Sequence, residues 1–293
     1  MTLSYVLVTP ARNEEAHIGG TIESMILQSS LPKKWVIVSD GSTDRTDAIV
    51  QSYSPRIPWI DFLRMPERRD RHFAAKVSAF NAGLERLNNL KLEYDVIGNL
   101  DADITLPNDY FDYLLDKFGQ HKELGVAGTP VVENGKQLYD FRYTNIEHVS
   151  GACQLFRRKC FEDIGGYRPI RGGGIDWVAV TTARMKGWKT RTYTDRTCFH
   201  HRAMGTAEHN ELTRWFRSGK KDYFLGGHPL WQLFRAIYQM SRRPYFVGGL
   251  GLLAGYSWAA LTRTERPISE ELIRFNRQEQ LTRLCHQFRL GRK

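Results

Sequence analysis

An alternation of strands and helices over the first 130 residues constrains the fold more than any other feature of this chain. Short apolar runs, typical of buried strands, take turns with segments whose apolar residues recur at helical spacing. The predicted strands are Tyr5–Thr9, Trp35–Ser39, Val96–Leu100 and Gly125–Val132, and the predicted helices are Ile18–Gln28, Phe73–Leu87 and Phe111–Phe118. Apolar strands joined by helices predict an α/β fold with a mostly parallel sheet and right-handed connections.

The positive charge of the chain is concentrated in its last third. The chain has 42 Lys and Arg against 32 Asp and Glu, a net charge of +10. Residues 1–200 carry 26 basic and 25 acidic side chains, whereas residues 201–293 carry 16 and 7. This balance favours an anionic partner for the last third, such as nucleic acid, anionic lipid or polyphosphate.

The cysteines show no C-x-x-C spacing, so the sequence indicates neither a zinc site nor a disulfide framework. Free thiols are typical of a reducing cytosol. We expect no signal peptide, because the first apolar run leads directly into a polar loop without a basic segment before it.

Residues 244–262 form an uncharged stretch with arginines on both sides. Its 19 residues are at the lower limit for a membrane-spanning helix, which needs about 20 apolar residues, and it contains four glycines. We expect an interfacial or re-entrant hairpin, with Tyr245, Tyr256 and Trp258 near the depth of the lipid headgroups. The alternative is a glycine-rich pair of helices in a protein core.

Three of the predicted strands end in polar segments. These are "TPARNEE" (9–15), "SDGSTD" (39–44) and "DAD" (101–103). Because ligands of open α/β sheets bind beyond the carboxyl ends of the strands, we expect the three segments to form one site. Two carboxylates separated by one residue can hold Mg²⁺ or Mn²⁺ through oxygen, although "DAD" also fits an ordinary turn.

Four segments in order, "TPARNEE", "VSDGSTDRT", "HFAAKVSAFNAGL" and "NLDADI", resemble the donor half of family 2 glycosyltransferases with the GT-A fold. The resemblance implies a Rossmann-like nucleotide-diphospho-sugar transferase fold over residues 1–205, with a nucleotide-sugar half (1–105) and an acceptor half (106–205). Residues 206–293 are predicted to form a basic, helical, membrane-associating region.

The resemblance also implies roles for individual residues. Asp103 would ligate a divalent cation, Mg²⁺ or Mn²⁺, and Asp101 would contact the ribose, the cation or a water bound to it. Lys76 matches the family's "GKAxAxN" segment, although Ala75 replaces the usual glycine. The residues expected at the nucleotide sugar are Pro10, Arg12, Glu14, Asp40, Lys76, Asp101, Arg202 and Arg214.

The acceptor half resembles the family less closely. "GACQLFRRKCFEDIGGY" (151–167) is similar to the acceptor-side segment, and "RGGGIDWVAV" places Asp176 where the family has its catalytic base. Ile175 stands where a glutamate is usual. The alternative for Asp176 is a helix N-cap. Gly151, Trp177 and Trp215 are expected on the acceptor side.

Two further segments carry weaker signals. In "FHHRAMG" (199–205), at most one of His200 and His201 is expected to complete the metal site or approach the diphosphate, because adjacent residues of an extended chain point in opposite directions. The alternative is a structural role for the pair. "ELTRW" (211–215) resembles the Q-x-x-R-W signature of processive glycan synthases, or else belongs to an amphipathic helix.

The predicted function is an inverting, metal-dependent glycosyl transfer in cell-envelope or exopolysaccharide synthesis. A UDP-sugar is favoured as donor, and a lipid-linked saccharide or polyprenyl phosphate as acceptor. The protein is expected on the cytoplasmic face of the membrane. Its expected partners include the anionic lipid surface but not nucleic acid. Two alternatives are a haloacid dehalogenase-type phosphohydrolase with Asp101 as nucleophile, because "DADIT" fits D-x-D-x-T, and a non-enzymatic basic adaptor.

Overall fold

A computed structural model describes residues 3–67, 73–137, 145–202, 211–243 and 245–290. The chain divides into two compact units, Met1–Ala203 and Met204–Lys293. The sequence predicts a boundary between residues 205 and 206; the catalytic and membrane-associating roles given to the two sides stay predictions.

The first unit alternates strands and helices over most of its length. Its elements are β1 (Tyr5–Ala11), α1 (Ile18–Ile26), β2 (Lys34–Asp40), α2 (Thr46–Tyr53), β3 (Ile60–Met65), α3 (Phe73–Asn89), β4 (Val96–Leu100), β5 (Ile104–Thr105), α4 (Tyr110–Gln120), β6 (Leu124–Gly128), β7 (Val131–Glu133), β8 (Lys136–Gln137), β9 (Cys153–Arg157), α5 (Arg158–Asp163), α6 (Ile175–Met185), β10 (Lys189–Thr192) and β11 (Cys198–His200).

Seven strands form the central sheet, in the order β10-β6-β9-β4-β1-β2-β3. The pairs β1–β2, β1–β4, β2–β3 and β6–β10 are parallel, which confirms the predicted mostly parallel sheet. Strand β9 is antiparallel to both of its neighbours, β4 and β6. The described residues between β6 and β9 contain no helix, and an antiparallel strand needs no crossover helix to enter a sheet.

The predicted strand Gly125–Val132 is wrong in one respect, because the structure divides it in two. Strand β6 belongs to the central sheet, whereas β7 belongs to a second sheet with the order β5-β11-β7-β8. The break falls at Thr129 and Pro130, and proline cannot donate a backbone hydrogen bond to a ladder. The second sheet thereby places β5, which follows "DAD", beside β11, which ends at His200.

Both faces of the central sheet are buried. Along β1, Tyr5 and Leu7 pack into one apolar cluster with Trp35, whereas Val6 and Val8 pack into another on the opposite face. A strand covered on both faces reads as a continuous apolar run, which is why β1, β2 and β4 can be recognised in the sequence.

The second unit consists of helices α7 (Glu211–Phe224), α8 (Pro229–Met240), α9 (Val247–Leu261) and α10 (Glu270–Leu290). Helix α9 packs through its glycines: a Cβ atom on Gly255 would lie 1.9 Å from the Phe216 carbonyl oxygen of α7, and one on Gly249 would lie 2.4 Å from that of Ala236 in α8. The glycines therefore bring the helix backbones into direct contact.

Helix α9 is one continuous helix, so the predicted re-entrant hairpin is wrong. Among the residues that the structure describes, no helix combines the length and apolar character that crossing a bilayer requires. The prediction for Tyr256 is also wrong, because this side chain is buried and its hydroxyl donates a hydrogen bond to the Gly227 carbonyl. The opposite side of α9 is exposed, with Leu250, Trp258 and Leu261 on it.

Candidate active site

A cavity of about 640 Å³ lies at the carboxyl ends of β1, β2 and β4. Its lining includes eight of the side chains that the sequence places at the donor or the cation. The lining residues are Pro10, Ala11, Arg12, Glu14, Asp40, Ala75, Lys76, Asp101, Ala102, Asp103, Arg171 and Arg202. The three polar strand ends therefore lie at one site, as expected from the topology of the sheet.

Lys76 and Asp101 form an ion pair in this cavity. The Lys76 Nζ atom lies 2.5 Å from Asp101 Oδ1, and Asn99 Nδ2 donates a hydrogen bond to the same oxygen over 2.9 Å. Burial opposes the charge of Lys76, but the carboxylates of Asp101, Asp176 and Asp103 outweigh it and raise the pKa of Lys76. The lysine is therefore a cation at neutral pH, able to bind phosphate oxygens.

Asp103 faces a histidine rather than a lysine. The Asp103 Oδ2 atom lies 3.2 Å from His200 Nε2. Burial raises the pKa of Asp103, but the hydrogen bond and the charge of His200 outweigh it, so that the pKa is lowered. Asp103 is therefore a carboxylate at neutral pH.

The two histidines of "FHH" have different surroundings. His201 Nε2 lies 2.8 Å from Thr105 Oγ1, and the His201 backbone N–H donates to the Asp103 carbonyl. Of the two, His200 has its imidazole at the Asp103 carboxylate. Its role as a ligand stays a prediction.

Arg202 and Glu14 both line the cavity and form an ion pair, in which Arg202 Nη1 lies 2.8 Å from Glu14 Oε1. Asp40, at the end of β2, is buried. Arg171 also lines the cavity and was not predicted. It lies in the polar loop before α6, where a single arginine gives no signal of its own in the sequence.

Asp176 lies in the first turn of α6, where the helix dipole favours a negative charge. The N-cap is Gly174, with a φ of 87°, so the N-cap alternative for Asp176 is wrong. Asp176 is packed against Gly151: a Cβ atom on this glycine would lie 2.9 Å from Asp176 Cβ. Asn99 Nδ2 also donates to the Gly151 carbonyl, over 2.7 Å, which links Asp176 to the surroundings of Asp101.

Asp176 and Asp101 both affect the buried side chain of Tyr167. Burial, followed by the charges of Asp176 and Asp101, raises the pKa of the Tyr167 hydroxyl well above its ordinary value. This hydroxyl donates a hydrogen bond to Gln154 Oε1 over 2.7 Å. Tyr167 is therefore neutral at pH 7 and is not a candidate for the general base. Trp177 is half-buried in the first turn of α6.

Arg214 and Trp215 belong to helix α7 of the second unit. The Trp215 side chain packs on α9, where a Cβ atom on Gly251 would lie 2.8 Å from Trp215 Cβ. The Arg214 guanidinium lies 5.3 Å from the centre of the Trp215 ring. These contacts fit the alternative of an amphipathic helix; the contacts predicted with donor and acceptor stay predictions.

The residues at Asp103 fit a divalent cation that takes part of its ligands from a substrate. Within residues 3–67, 73–137, 145–202, 211–243 and 245–290, no group of three or more His, Cys, Asp and Glu side chains could hold a metal ion. The 3.2 Å between Asp103 Oδ2 and His200 Nε2 is close to the spacing of about 3 Å between adjacent ligands of an octahedral ion. Mg²⁺ is commonly bound by one or two carboxylates together with substrate phosphates.

The sequence matches known glycosyltransferases. The family model described as "Glycosyl transferase family 2" matches residues 6–153. The chain is 23% identical over 172 residues to poly-beta-1,6-N-acetyl-D-glucosamine synthase from Staphylococcus epidermidis, and 24% identical over 172 residues to the protein of that name from Staphylococcus aureus. Each alignment covers 52% of this chain and 39% of the relative.

Solved structures of glycosyltransferases have the same fold. A mannosyltransferase from Pyrobaculum calidifontis, in complex with GDP-Man and Mn²⁺, has a TM-score of 0.58 at 17% identity, covering 100% of this chain and 81% of the other. Residues 1–349 of TarS from S. aureus, in complex with UDP-GlcNAc, have a TM-score of 0.57 at 13% identity, covering 88% of this chain and 72% of that one.

The family match runs across "TPARNEE", "VSDGSTDRT" and "NLDADI". Neither the phosphohydrolase nor the adaptor alternative explains these segments. The match covers half of the chain, and the fold agrees with it. This chain therefore belongs to glycosyl transferase family 2 and is a glycosyltransferase with the GT-A fold.

Proposed function

We propose that the cavity binds a nucleoside diphosphate sugar, with a UDP-sugar favoured, and that the sugar is transferred with inversion to a hydroxyl or phosphate oxygen of a lipid-linked acceptor. The observation that carries this proposal is the grouping of acidic and basic side chains around one cavity at the strand ends. The acids suit the hydroxyl and N–H groups of a nucleoside, and the bases suit a diphosphate.

The nucleoside is assigned to the side of the cavity that β1 and β2 form. Asp40 and Glu14 are both buried and lie at or after the ends of these strands. A carboxylate there accepts hydrogen bonds from the base edge or the ribose. The Lys76 ammonium and the Arg171 and Arg202 guanidinium groups are then the donors available to the diphosphate, since guanidinium matches phosphate oxygens in two-point geometry.

Asp176 is assigned as the general base. The acceptor oxygen attacks the anomeric carbon from the side opposite the diphosphate, the bond from that carbon to the phosphate oxygen breaks, and Asp176 takes the acceptor proton. Two observations support this assignment. Asp176 packs directly against Gly151, and Asn99 Nδ2 donates hydrogen bonds both to the Gly151 carbonyl and to Asp101 Oδ1.

Asp103 and His200 would hold the cation, Mg²⁺ or Mn²⁺. When bound, such an ion neutralises charge on the departing diphosphate. The Lys76 ammonium group, which lines the same cavity as Asp103, supplies a further positive charge.

Calorimetric titration of the full chain with UDP-, GDP- and dTDP-sugars in the presence of Mn²⁺ tests the donor assignment. We expect one donor to bind, and Asp40→Asn to weaken it by about tenfold, because a buried hydrogen bond to a charged group contributes roughly 1.5–3 kcal/mol. Asp116→Asn, on the exposed side of α4, serves as the control. The proposal is wrong if none of the sugars binds.

The acceptor is assigned to a membrane because the second unit carries an exposed apolar stripe next to basic residues. The exposed apolar residues of α9 recur at helical spacing, so they lie on one side of the helix: Val247, Leu250, Ala254, Trp258 and Leu261. Arg242 and Arg243 precede this stripe and Arg263 follows it, all three of them exposed. Apolar side chains bordered by arginines fit the interface of an anionic bilayer.

We further assign the protein to the cytoplasmic face of the membrane and to the synthesis of a cell-envelope polysaccharide or exopolysaccharide, as the family resemblance implies. Flotation with vesicles containing phosphatidylglycerol tests the assignment. Leu250→Asp combined with Leu261→Asp should release the protein, whereas Leu27→Asp in the first unit should not, although Leu27 is 61% exposed, close to the 56% of Leu250. Retention of the double variant on the vesicles would contradict the assignment.

A further inference from the structure

His200 lies between two carboxylates, only one of which belongs to the donor cavity. Its Nε2 atom is 3.2 Å from Asp103 Oδ2, and its Nδ1 atom is 3.3 Å from Glu133 Oε2. The three side chains are largely buried, with 8% of His200, 10% of Asp103 and 12% of Glu133 exposed. Glu133 is not among the residues that line the cavity.

The second sheet fixes this arrangement through its register. In the parallel pair β11–β7, His200 is the direct partner of Glu133, and in the antiparallel pair β11–β5 it is the partner of Ile104, next to Asp103. Directly opposite residues of neighbouring strands project from the same face. The register therefore places Glu133 beside the imidazole. Asp103 precedes β5, and the 3.2 Å between its Oδ2 atom and His200 Nε2 places it at the other nitrogen.

The backbone of Glu133 is fixed by a hairpin. Glu133 pairs with Lys136 in the antiparallel pair β7–β8, and the two residues between them, Asn134 and Gly135, have positive φ angles of 49° and 72°. Two consecutive residues of this kind are typical of the tight turn that sets hairpin register, and Asn-Gly is the preferred sequence for it. The Glu133 carboxylate is thus held on an ordered element.

We propose that Glu133 is a positioning residue for the divalent cation, acting through His200. Nε2 faces Asp103 and Nδ1 faces Glu133. When a cation takes the place of the Nε2 proton, the Nδ1–H donated to Glu133 would hold the ring so that Nε2 is the nitrogen that meets the ion. A histidine held in this way presents one fixed nitrogen to an ion instead of rotating between two. The inference rests on the proposed function, because it supposes that the cation binds at Asp103.

The arrangement predicts that Glu133 contributes to cation affinity without touching the cation or the donor. Outer partners of metal-binding histidines commonly change metal affinity by 10–100-fold. Glu123 provides a matched control, because its Oε1 atom lies 4.0 Å from His121 Nδ1 on the surface and neither residue belongs to the second sheet. Both glutamates therefore neighbour a histidine, but only one of the histidines faces Asp103.

The experiment measures Mn²⁺ binding to the full chain by the electron paramagnetic resonance signal of free Mn²⁺, with Mn²⁺ alone as the probe. We expect Glu133→Gln, which keeps the shape of the side chain, to weaken binding by about tenfold, and Glu123→Gln to leave it unchanged. In a His200→Ala background, which has itself lost affinity, Glu133→Gln should cause no further loss, because the effect passes through the imidazole.

Three outcomes would overturn the inference: equal Mn²⁺ affinity in wild type and Glu133→Gln, an equal loss with and without His200, or no Mn²⁺ binding to the wild type. The melting temperature of each variant separates these outcomes from a folding defect, and Glu133→Asp replaces Glu133→Gln if the latter does not fold. Calorimetric titration of the wild type with nucleotide sugars gives a separate result. If a sugar binds while Glu133→Gln leaves Mn²⁺ affinity unchanged, the inference fails and the proposed function stands.

Discussion

The two units of this protein differ in their unusual side chains: the first contains buried charged residues, and the second contains exposed apolar residues. The first unit buries charge: Asp40 and Asp103 are 5% and 7% exposed at the edge of a sheet that is otherwise apolar. The second unit exposes apolar side chains: Leu250 and Leu261 are 56% and 82% exposed, on a helix whose other side is packed against its neighbours through glycine.

Each of these arrangements is unfavourable unless something compensates for it. A buried charge costs free energy unless it is paired. In the first unit Lys76 pairs with Asp101, His200 with Asp103 and Arg202 with Glu14. Contiguous exposed apolar surface is typical of an interaction site. The buried charges of the first unit thus agree with the proposed polar donor, and the exposed apolar side chains of the second unit agree with the proposed membrane surface.

The largest expected effect comes from removing the proposed base. Asp176→Asn should lower the rate of glycosyl transfer by about 10²–10⁴-fold while the donor still binds, because an amide cannot accept the acceptor proton. Release of nucleoside diphosphate in the presence of acceptor measures the rate. Asp116→Asn is the control. Unchanged turnover in the Asp176 variant would mean that the buried charges of the first unit serve binding alone.

The second effect concerns the packing of the second unit. Gly255→Ala should destabilise this unit by about 3 kcal/mol, because the new methyl group would lie 1.9 Å from the Phe216 carbonyl oxygen and helices α7 and α9 would have to separate. Hydrogen exchange of the α7 and α9 amides measures the loss. Gly119→Ala in α4 is the control, since nothing lies within 4 Å of its Cβ position. Unchanged protection of α7 would show that the two helices are not in contact through their backbones.

A smaller effect is expected where a glycine touches the proposed base. Gly151→Ala should lower turnover by about tenfold, or roughly 1.4 kcal/mol of activation free energy, because its Cβ atom would lie 2.9 Å from Asp176 Cβ and displace the carboxylate. The affinity for the donor should not change, which calorimetry checks. A parallel loss of donor affinity would place Asp176 nearer to the donor than proposed.

The smallest effect comes from an exposed ion pair of the first unit. Arg196 donates hydrogen bonds to Asp109, which lowers the pKa of this carboxyl below its ordinary value of 3.8. A lowered folded-state pKa stabilises the protein above about pH 4, and the contribution is lost as the pH falls through the folded value. Asp109→Asn should therefore lower the melting temperature slightly at pH 7, and the difference should vanish at low pH. A large effect at pH 7 would show that exposed charges contribute as much as buried ones.

The sequence predicts the first unit better than the second for a physical reason. Strands β1, β2 and β4 are covered on both faces and appear as continuous apolar runs, and the acids that follow them lie at the same edge of the sheet. Strand β3 was missed because only Ile60 at its start is fully buried. Glu133 and Arg171 were missed because only the register of the second sheet and the path of a loop bring them to the site.

In the second unit, the uncharged stretch is equally compatible with a bilayer and with a protein core. The glycines of α9 do not indicate which neighbour they contact until α7 and α8 are placed. Tyr256 and Trp258 are two residues apart, yet one is buried and the other exposed. Helical periodicity predicts that the two side chains lie on different sides of the helix, but it does not predict which side packs against the neighbouring helices.

The antiparallel strand β9 has a consequence for how the first unit folds. It lies between β4 and β6 and pairs with both. One hydrogen-bonded neighbour of β4, the strand that leads into Asp101, therefore comes from residues more than fifty positions later in the chain. A fragment that ended before Cys153 would leave one edge of β4 open, and open edges pair with other chains. Strands from residues 1–105 and from residues 106–205 thus share one sheet, and we expect the cavity to form during synthesis only after β9 has left the ribosome.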